Sequence, residues 1–187
     1  HKGHEFLIKN SLEKTNAGGI FIHPIIGPKK TGDFKPEITL SAYDILVNEK
    51  IENAIVSGFP TYPRYAGPRE AIFTAICRKN YGCRYFIVGR DHTGVGSFYK
   101  GKSIEEVFNN IGDIGLKILF YNEIVYNSKE LKHKEISKND KNSDIYHLKG
   151  TDVREYLISK KNLPYWLVDK SIINMLDGKK SKDLFEK

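Results

Sequence analysis

Two histidines and one glycine-rich turn are the residues of this chain whose types and spacing could do chemistry. His1 and His4, in "HKGHEF", lie three apart at the start of a predicted helix. That spacing sets both imidazoles near one helical face. The free N–H groups and positive dipole at a helix start favour phosphate. By itself the pair is a short match, and two surface histidines at a chain end account for it equally simply. The second stretch is "YFIVGRDHTGVG", in which a strand-like run passes directly into Gly89, Arg90, Asp91, His92, Thr93 and Gly94. Arg90 can fork onto a phosphate or sulfate. Asp91 can orient Arg90 or His92, and successive backbone N–H groups can form an anion nest. A local Arg–Asp pair in an ordinary loop is the competing account. A third loop, "GFPTYPRYAGPREA", holds Arg64 and Arg69 between prolines. It reads either as an anion pocket or as a stiff connector with Arg69 pairing Glu70 or another acid.

Other reactive residue types carry less. His23 sits in a strand beside Pro24, His133 in a polar segment, and His147 near a strand end; none has a partner pattern. Lys29, Lys30 and Asp33 in "GPKKTGDF" read as a solvated turn. No G-x-x-x-x-G-K-[ST] occurs, which argues against a P-loop kinase or ATPase. Neither a serine elbow nor a cysteine–histidine signature is present. Cys77 and Cys83 do not form C-x-x-C and no second pair exists, so no zinc site is expected.

The elements that must position these residues alternate. Helical periodicity runs through "GHEFLIKNSLEKTN", "TLSAYDILVNEK", "PREAIFTAICRKNYG" and "SIEEVFNNIG". In the third, Pro68 opens the helix, Ala71, Ala75 and Ile76 form a stripe and Gly82 closes it. In the fourth, Ser103 and Glu106 form a capping box. Strands are expected at "GIFIHPI", "NAIVSGF", "RYFIV", "LKILFY" and "IYHL". The polar stretch from Asn127 to Asp144 reads as a mobile insertion or long loop. Two short helices, started by Thr151 and Asp169, close the chain. The alternation predicts an α/β fold, a parallel sheet with helices on both faces. Ligands of such sheets sit beyond the carboxyl ends of the strands, where Gly89 begins its turn.

The chain has 187 residues, 40% of them hydrophobic, and a formal net charge of +7. That length suits one domain with a small appendage. The boundaries expected are 1–148 for the main domain and 149–187 for a small C-terminal helical subdomain. No apolar run approaches the ~20 residues of a bilayer span, so no membrane is implied. The excess lysines lie in solvated segments without aromatic interleaving, so no nucleic acid is implied either. Two free thiols suit a reducing, cytoplasmic setting. Met175 is the only methionine, so His1 reads as a cut end.

In order along the chain, these motifs resemble the sulfate adenylyltransferase (ATP sulfurylase) family. "HKGHEFL" resembles the family's H-x-x-H helix start, and "IHPIIGPKKTGDF" its second strand and following loop. "RYAGPREAIFTAICRKNYGCRYFIVGRDHTG" resembles its most distinctive block. "KGTDVREYL" with "LPYWLVDKSIINML" resembles its closing segments. The resemblance implies a Rossmann-like nucleotidyltransferase domain in which sulfate attacks the α-phosphorus of ATP, giving adenylyl sulfate (APS) and pyrophosphate. It implies that His1 and His4 contact the ATP phosphates, that Arg90 binds phosphate oxygens, and that the loop of Gly89, Arg90, Asp91, His92, Thr93 and Gly94 holds nucleotide and sulfate. Ile124 and Val125 would line the adenine side. Mg2+ would arrive with ATP, and assembly into a homo-oligomer is a common family property. The family's Gln-x-Arg-Asn motif and first strand would precede His1, and its N-terminal PUA-like domain is not represented here. Thr93 stands where alanine is usual, Val95 for proline and Lys149 for serine. Without the preceding segment, weak or absent activity is expected. Another H-x-G-H adenylyltransferase, or an inactive nucleotide- or anion-binding fragment, are the alternatives.

Overall fold

In a computed structural model, the residues described are 1–89, 104–137 and 144–187. The chain runs α1 (Lys2–Thr15), β1 (Ile20–Ile22), α2 (Pro36–Lys50), β2 (Ala54–Val56), α3 (Pro68–Asn80), β3 (Tyr85–Val88), α4 (Ile104–Ile111), β4 (Lys117–Phe120), β5 (Glu123–Asn127), β6 (Lys132–Ile136), β7 (Ile145–His147), α5 (Gly150–Ile158), α6 (Lys170–Leu176) and α7 (Ser181–Leu184). Two compact units result: His1–Tyr62 with Ile124–Lys187, and Pro63–Glu123. Residues 149–187 therefore fall in the first unit.

The first unit is built on a parallel strand pair. β1 and β2 align Ile20 with Ala54, Phe21 with Ile55 and Ile22 with Val56. Side chains alternate across a strand, so Ile20, Ile22, Ala54 and Val56 meet Ile8 and Leu12 of α1 and Tyr43, Leu46 and Val47 of α2 in one core. Ile55, of opposite parity, is 67% exposed. The C-terminal helices add two adjoining clusters, one around Val153, Leu167 and Val168 and one around Ile38, Leu176, Leu184 and Phe185. The chain's end is stitched to the loop after β1: Lys35 N–H donates to Leu184 O (2.9 Å) and Glu186 N–H to Asp33 O (2.8 Å).

The second unit repeats the parallel pattern. β3 and β4 pair from Tyr85↔Lys117 to Val88↔Phe120. Ala71 and Ala75, one turn apart on α3, have no exposed surface and pack with Val88 and Phe108. Side chains this small let the helix lie close to the strands. Gly82 ends α3 at φ +90°, a conformation that disfavours a Cβ. Its N–H donates to Lys79 O, and the next N–H, of Cys83, to Arg78 O. The exit expected at Gly82 is thus realised.

Parallel pairing follows the expectation, and the parallel strands stand as one two-stranded pair in each unit. A third sheet, ordered β6-β5-β7, has β5 and β7 antiparallel. It corrects the reading of Asn127 to Asp144 as a mobile insertion or long loop over 132–136, which β6 occupies, while 138–143 lie outside the described residues. The Asn127 side chain makes the turn: its Oδ1 accepts Glu130 N–H (2.7 Å) and its Nδ2 donates to Glu130 Oε1 (3.1 Å). Backbone pairing then needs few large apolar residues, and Ile136 alone is fully buried on β6. Helix α5 begins at Gly150 rather than at Thr151, whereas Asp169 does cap α6 by accepting Ser171 N–H. The capping box expected at Ser103 lies outside the described residues. Among those residues, no helix is long and apolar enough to cross a membrane.

Candidate functional site

The first turn of α1 brings His1 and His4 together. His1 is the N-cap and makes no side-chain capping bond. The two imidazoles stack with centroids 4.1 Å apart and planes 20° from parallel. Gly3 makes room for this: a Cβ there would lie 2.9 Å from His1 Nδ1 and 3.3 Å from Leu148 Cδ1. The space beside Gly3 is thus taken by the His1 ring, not left open to a ligand. His1 Nδ1 is itself buried with no hydrogen-bond partner among the described residues, an atom that a ligand oxygen could satisfy.

Both histidines line a cavity of about 190 Å3, whose walls include Thr39, Tyr43, Val153 and Val168. The Tyr43 ring lies 6.4 Å from that of His4. Burial raises the Tyr43 phenol above its ordinary value, which keeps it a hydrogen-bond donor at neutral pH. Burial lowers the His4 imidazole below its ordinary range. His4 keeps an exposed surface, and it is neutral at pH 7. Sequence periodicity placed Tyr43 on the packing stripe of α2; only its neighbours reveal that it faces His4.

The remaining candidates divide between the units. Gly89 directly follows Val88 at the end of β3, in the second unit. Arg90, Asp91, His92, Thr93 and Gly94 lie outside the described residues. Ile124 and Val125 belong to β5 in the first unit, with 7% and 0% exposure. Their side chains are packed, which leaves backbone groups as the means of touching a ligand.

The loop before α3 is a stiff connector held by a buried acid. Glu70 is 1% exposed, and its two oxygens accept Arg64 N–H (3.0 Å) and Ala66 N–H (3.2 Å). Arg64 lies over the Phe73 ring, 4.4 Å from its centroid. The carboxylate expected for Arg69 is therefore spent on the backbone. Glu70→Ala should lose about 3 kcal/mol of stability, because two N–H groups and their turn lose a charged acceptor. Glu70→Gln should recover part of that. Urea unfolding midpoints check both.

Other sequence candidates find structural partners. Asp33 accepts from Arg154 Nη1 at 2.6 Å, and Lys29 Nζ donates to Phe34 O at 3.3 Å. Burial lowers the Lys29 ammonium from its usual range. The turn is tied into the fold and is not simply solvated. His23, 8% exposed, packs between the rings of Phe21 and Phe59. His133 lies on β6, its Nε2 2.8 Å from Trp166 O. Cys77 and Cys83 are free thiols. Among the described residues, no group of three or more His, Cys, Asp or Glu side chains is placed to hold a metal.

Parallel strand pairs backed by helices define an α/β protein. Within that class the assignment is specific: the ATP-sulfurylase family model matches residues 1–178, and the chain belongs to that family. It is 44% identical over 131 residues to a sulfate adenylyltransferase of Staphylothermus marinus, covering 69% of this chain and 34% of that one. It is 34% identical over 180 residues to a sulfate adenylyltransferase of Hyperthermus butylicus, covering 94% and 46%. The chain thus spans less than half the length of these relatives. A solved structure described as a hexameric APS kinase from Thiobacillus denitrificans superposes with a TM-score of 0.66 at 18% identity, over 94% of this chain and 33% of that one. That likeness speaks to the fold.

Proposed function

We propose that this chain is the nucleotide-transfer portion of a sulfate adenylyltransferase. The observation that carries the reading is the family match over residues 1–178, with its helix start occupied by a stacked histidine pair. In the reaction, a sulfate oxygen forms a bond to the α-phosphorus of ATP. The bond from that phosphorus to the oxygen bridging to the β-phosphate breaks. Pyrophosphate leaves with the electron pair, and adenylyl sulfate remains. Sulfate is already a dianion, so no strong general base is needed. The obstacle is repulsion between two anions, and fixed donors are what lower it.

His1 and His4 then serve as donors to the triphosphate from the start of α1. Arg90 binds phosphate oxygens, and the Gly89–Gly94 loop, with Asp91 and His92, encloses nucleotide and sulfate. The Thr93 N–H donates to sulfate. Ile124 and Val125 meet the adenine through their backbone. Mg2+ enters as part of the substrate, Mg-ATP, on the phosphate oxygens. Substrates and products are ATP, sulfate, adenylyl sulfate and pyrophosphate, and the working form is a cytoplasmic homo-oligomer.

The test is sulfate-dependent pyrophosphate release, paired with ATP formation from adenylyl sulfate and pyrophosphate, on the longest form of the protein, including the segment expected before His1. Both activities are expected. A folded protein that binds ATP but shows neither activity rejects the reading.

A further inference from the structure

The first turn of α1 is held from two directions, and both lead to one short segment. The backbone N–H of Lys2, between the two histidines in sequence, donates to Leu167 O at 2.8 Å. Leu167 has no exposed surface, so this anchor is set in the core. The second tie runs through side chains. Glu5, next to His4, lies 3.5 Å from Lys50 Nζ through its Oε2, while its Oε1 accepts from Lys9 Nζ at 2.8 Å. Lys50, the last residue of α2, also donates to Oδ2 of Asp169. Asp169 is the N-cap of α6, two residues beyond Leu167, and its other oxygen accepts Ser171 N–H at 3.1 Å.

We propose that Lys50 is a positioning residue: by bridging Glu5 and Asp169 it sets the orientation of the first turn of α1, and with it the His1–His4 stack. The physical reason is the charge count at the junction. Two carboxylates, each on a side chain only 16% exposed, share one ammonium that is 27% exposed. With Lys50 in place both are compensated. Without it, two like charges from α1 and α6 face each other with reduced access to water, and they repel. Lys9 neutralises Glu5 only from the outer side of α1, at 43% exposure. Asp169 is pinned by its capping bond and by the core residues Leu167 and Val168 beside it, so the repulsion is taken up by the first turn of α1 against its Lys2 N–H anchor. Movement there carries His4 directly.

The same geometry explains why chain-distant residues matter to the histidines. Lys50 and Asp169 are 119 positions apart in sequence, and neither belongs to a motif readable as a site. Both Glu5 and Asp169 line the cavity that His1 and His4 border, so the junction and the site share one wall.

The catalytic consequence rests on the functional reading above, whereas the positional one does not, and the experiment separates them. In the full chain carrying 15N-histidine, Lys50→Met is expected to remain folded by circular dichroism. The imidazole resonances of His1 and His4 should shift, while those of His23 stay in place. If the protein catalyses adenylyl transfer, kcat should fall on the order of 10²-fold, the effect of a small misplacement of donors, with KM for sulfate changing far less. Lys50→Arg should restore both readouts, since it keeps the charge between the two carboxylates. Shifted imidazole resonances in Lys50→Met, together with a wild-type protein that lacks turnover, would leave the positioning role standing and remove the functional reading. A folded Lys50→Met with wild-type imidazole resonances overturns the proposal. Should Lys50→Met not fold, Glu5→Gln leaves the Lys50–Asp169 pair in place and removes the charge that ties α1 to Lys50, along with the outer pair to Lys9; unchanged His4 resonances in that variant overturn it equally.

Discussion

Replacing His4 by alanine is expected to lower sulfate-dependent pyrophosphate release about 10²- to 10³-fold, the cost of deleting one preorganised donor to developing charge. The fold should survive. His4 is exposed and belongs to no core cluster, and alanine is the better helix former at that position. The remaining ring, His1, loses its stacking partner and with it part of its orientation. A double His1→Ala, His4→Ala variant should therefore lose less than the sum of the two single losses.

The protonation state of His4 makes a second readout. Its imidazole is held below the ordinary histidine range by burial, so it is neutral at pH 7. A triphosphate placed against it supplies negative charge, which favours the cation and raises the imidazole again. Nucleotide binding should thus be accompanied by proton uptake, and affinity should strengthen as pH falls from 8 toward 6. Calorimetry in buffers of differing ionisation enthalpy measures that uptake, and His4→Gln should reduce it. Stability responds in the opposite sense. Because burial makes the folded imidazole bind its proton less readily than the unfolded one, the unfolded chain holds more protons as pH falls below about 6.5. Acidification below 6.5 therefore destabilises the fold through this group, and His4→Gln should flatten the pH dependence there.

Arg90→Ala should abolish turnover, with a loss of about 10³-fold or more, and leave the unfolding midpoint unchanged. The residue lies outside the described part of the chain, so its role is argued from chemistry and resemblance. Two anions must approach to bonding distance, and a guanidinium fork can hold two oxygens of one phosphate while offsetting charge on both reactants. Arg90→Lys should recover only a small fraction of the activity. An ammonium supplies the charge as a point but lacks the planar, bidentate geometry. Near wild-type pyrophosphate release in Arg90→Ala would dismiss the assignment of Arg90 to the phosphates.

Much of the architecture was legible because it follows from local rules. The stripe of Ala71 and Ala75, Pro68 at the helix start and Gly82 at its exit place α3 closely, and Asp169 caps α6 as its residue type suggests. Short apolar runs gave β1, β2, β3 and β4 with their parallel pairing. The misreadings share a cause. Strand β6 is polar, held by backbone pairing to β5 and by an Asn127 turn, so hydrophobic periodicity had nothing to register. Helix α7 is four residues long and is secured by Leu184 and Phe185 packing on Phe34 and Ile38, contacts of long sequence separation. Glu70 read as a partner for a neighbouring arginine, because adjacency in sequence does not reveal which way a side chain turns.

The sequence by itself determined the family, the helix and strand order from α1 to β4 and the spacing of His1 and His4, since all of these are written in residue types a few positions apart. Tertiary structure alone decided that the two imidazoles stack, that Gly3 is filled by the His1 ring, that Tyr43 faces His4, and that Lys50 joins Glu5 to Asp169. Such contacts depend on where whole elements dock, and docking is set by the shape of a shared core and by desolvated charge rather than by any local pattern.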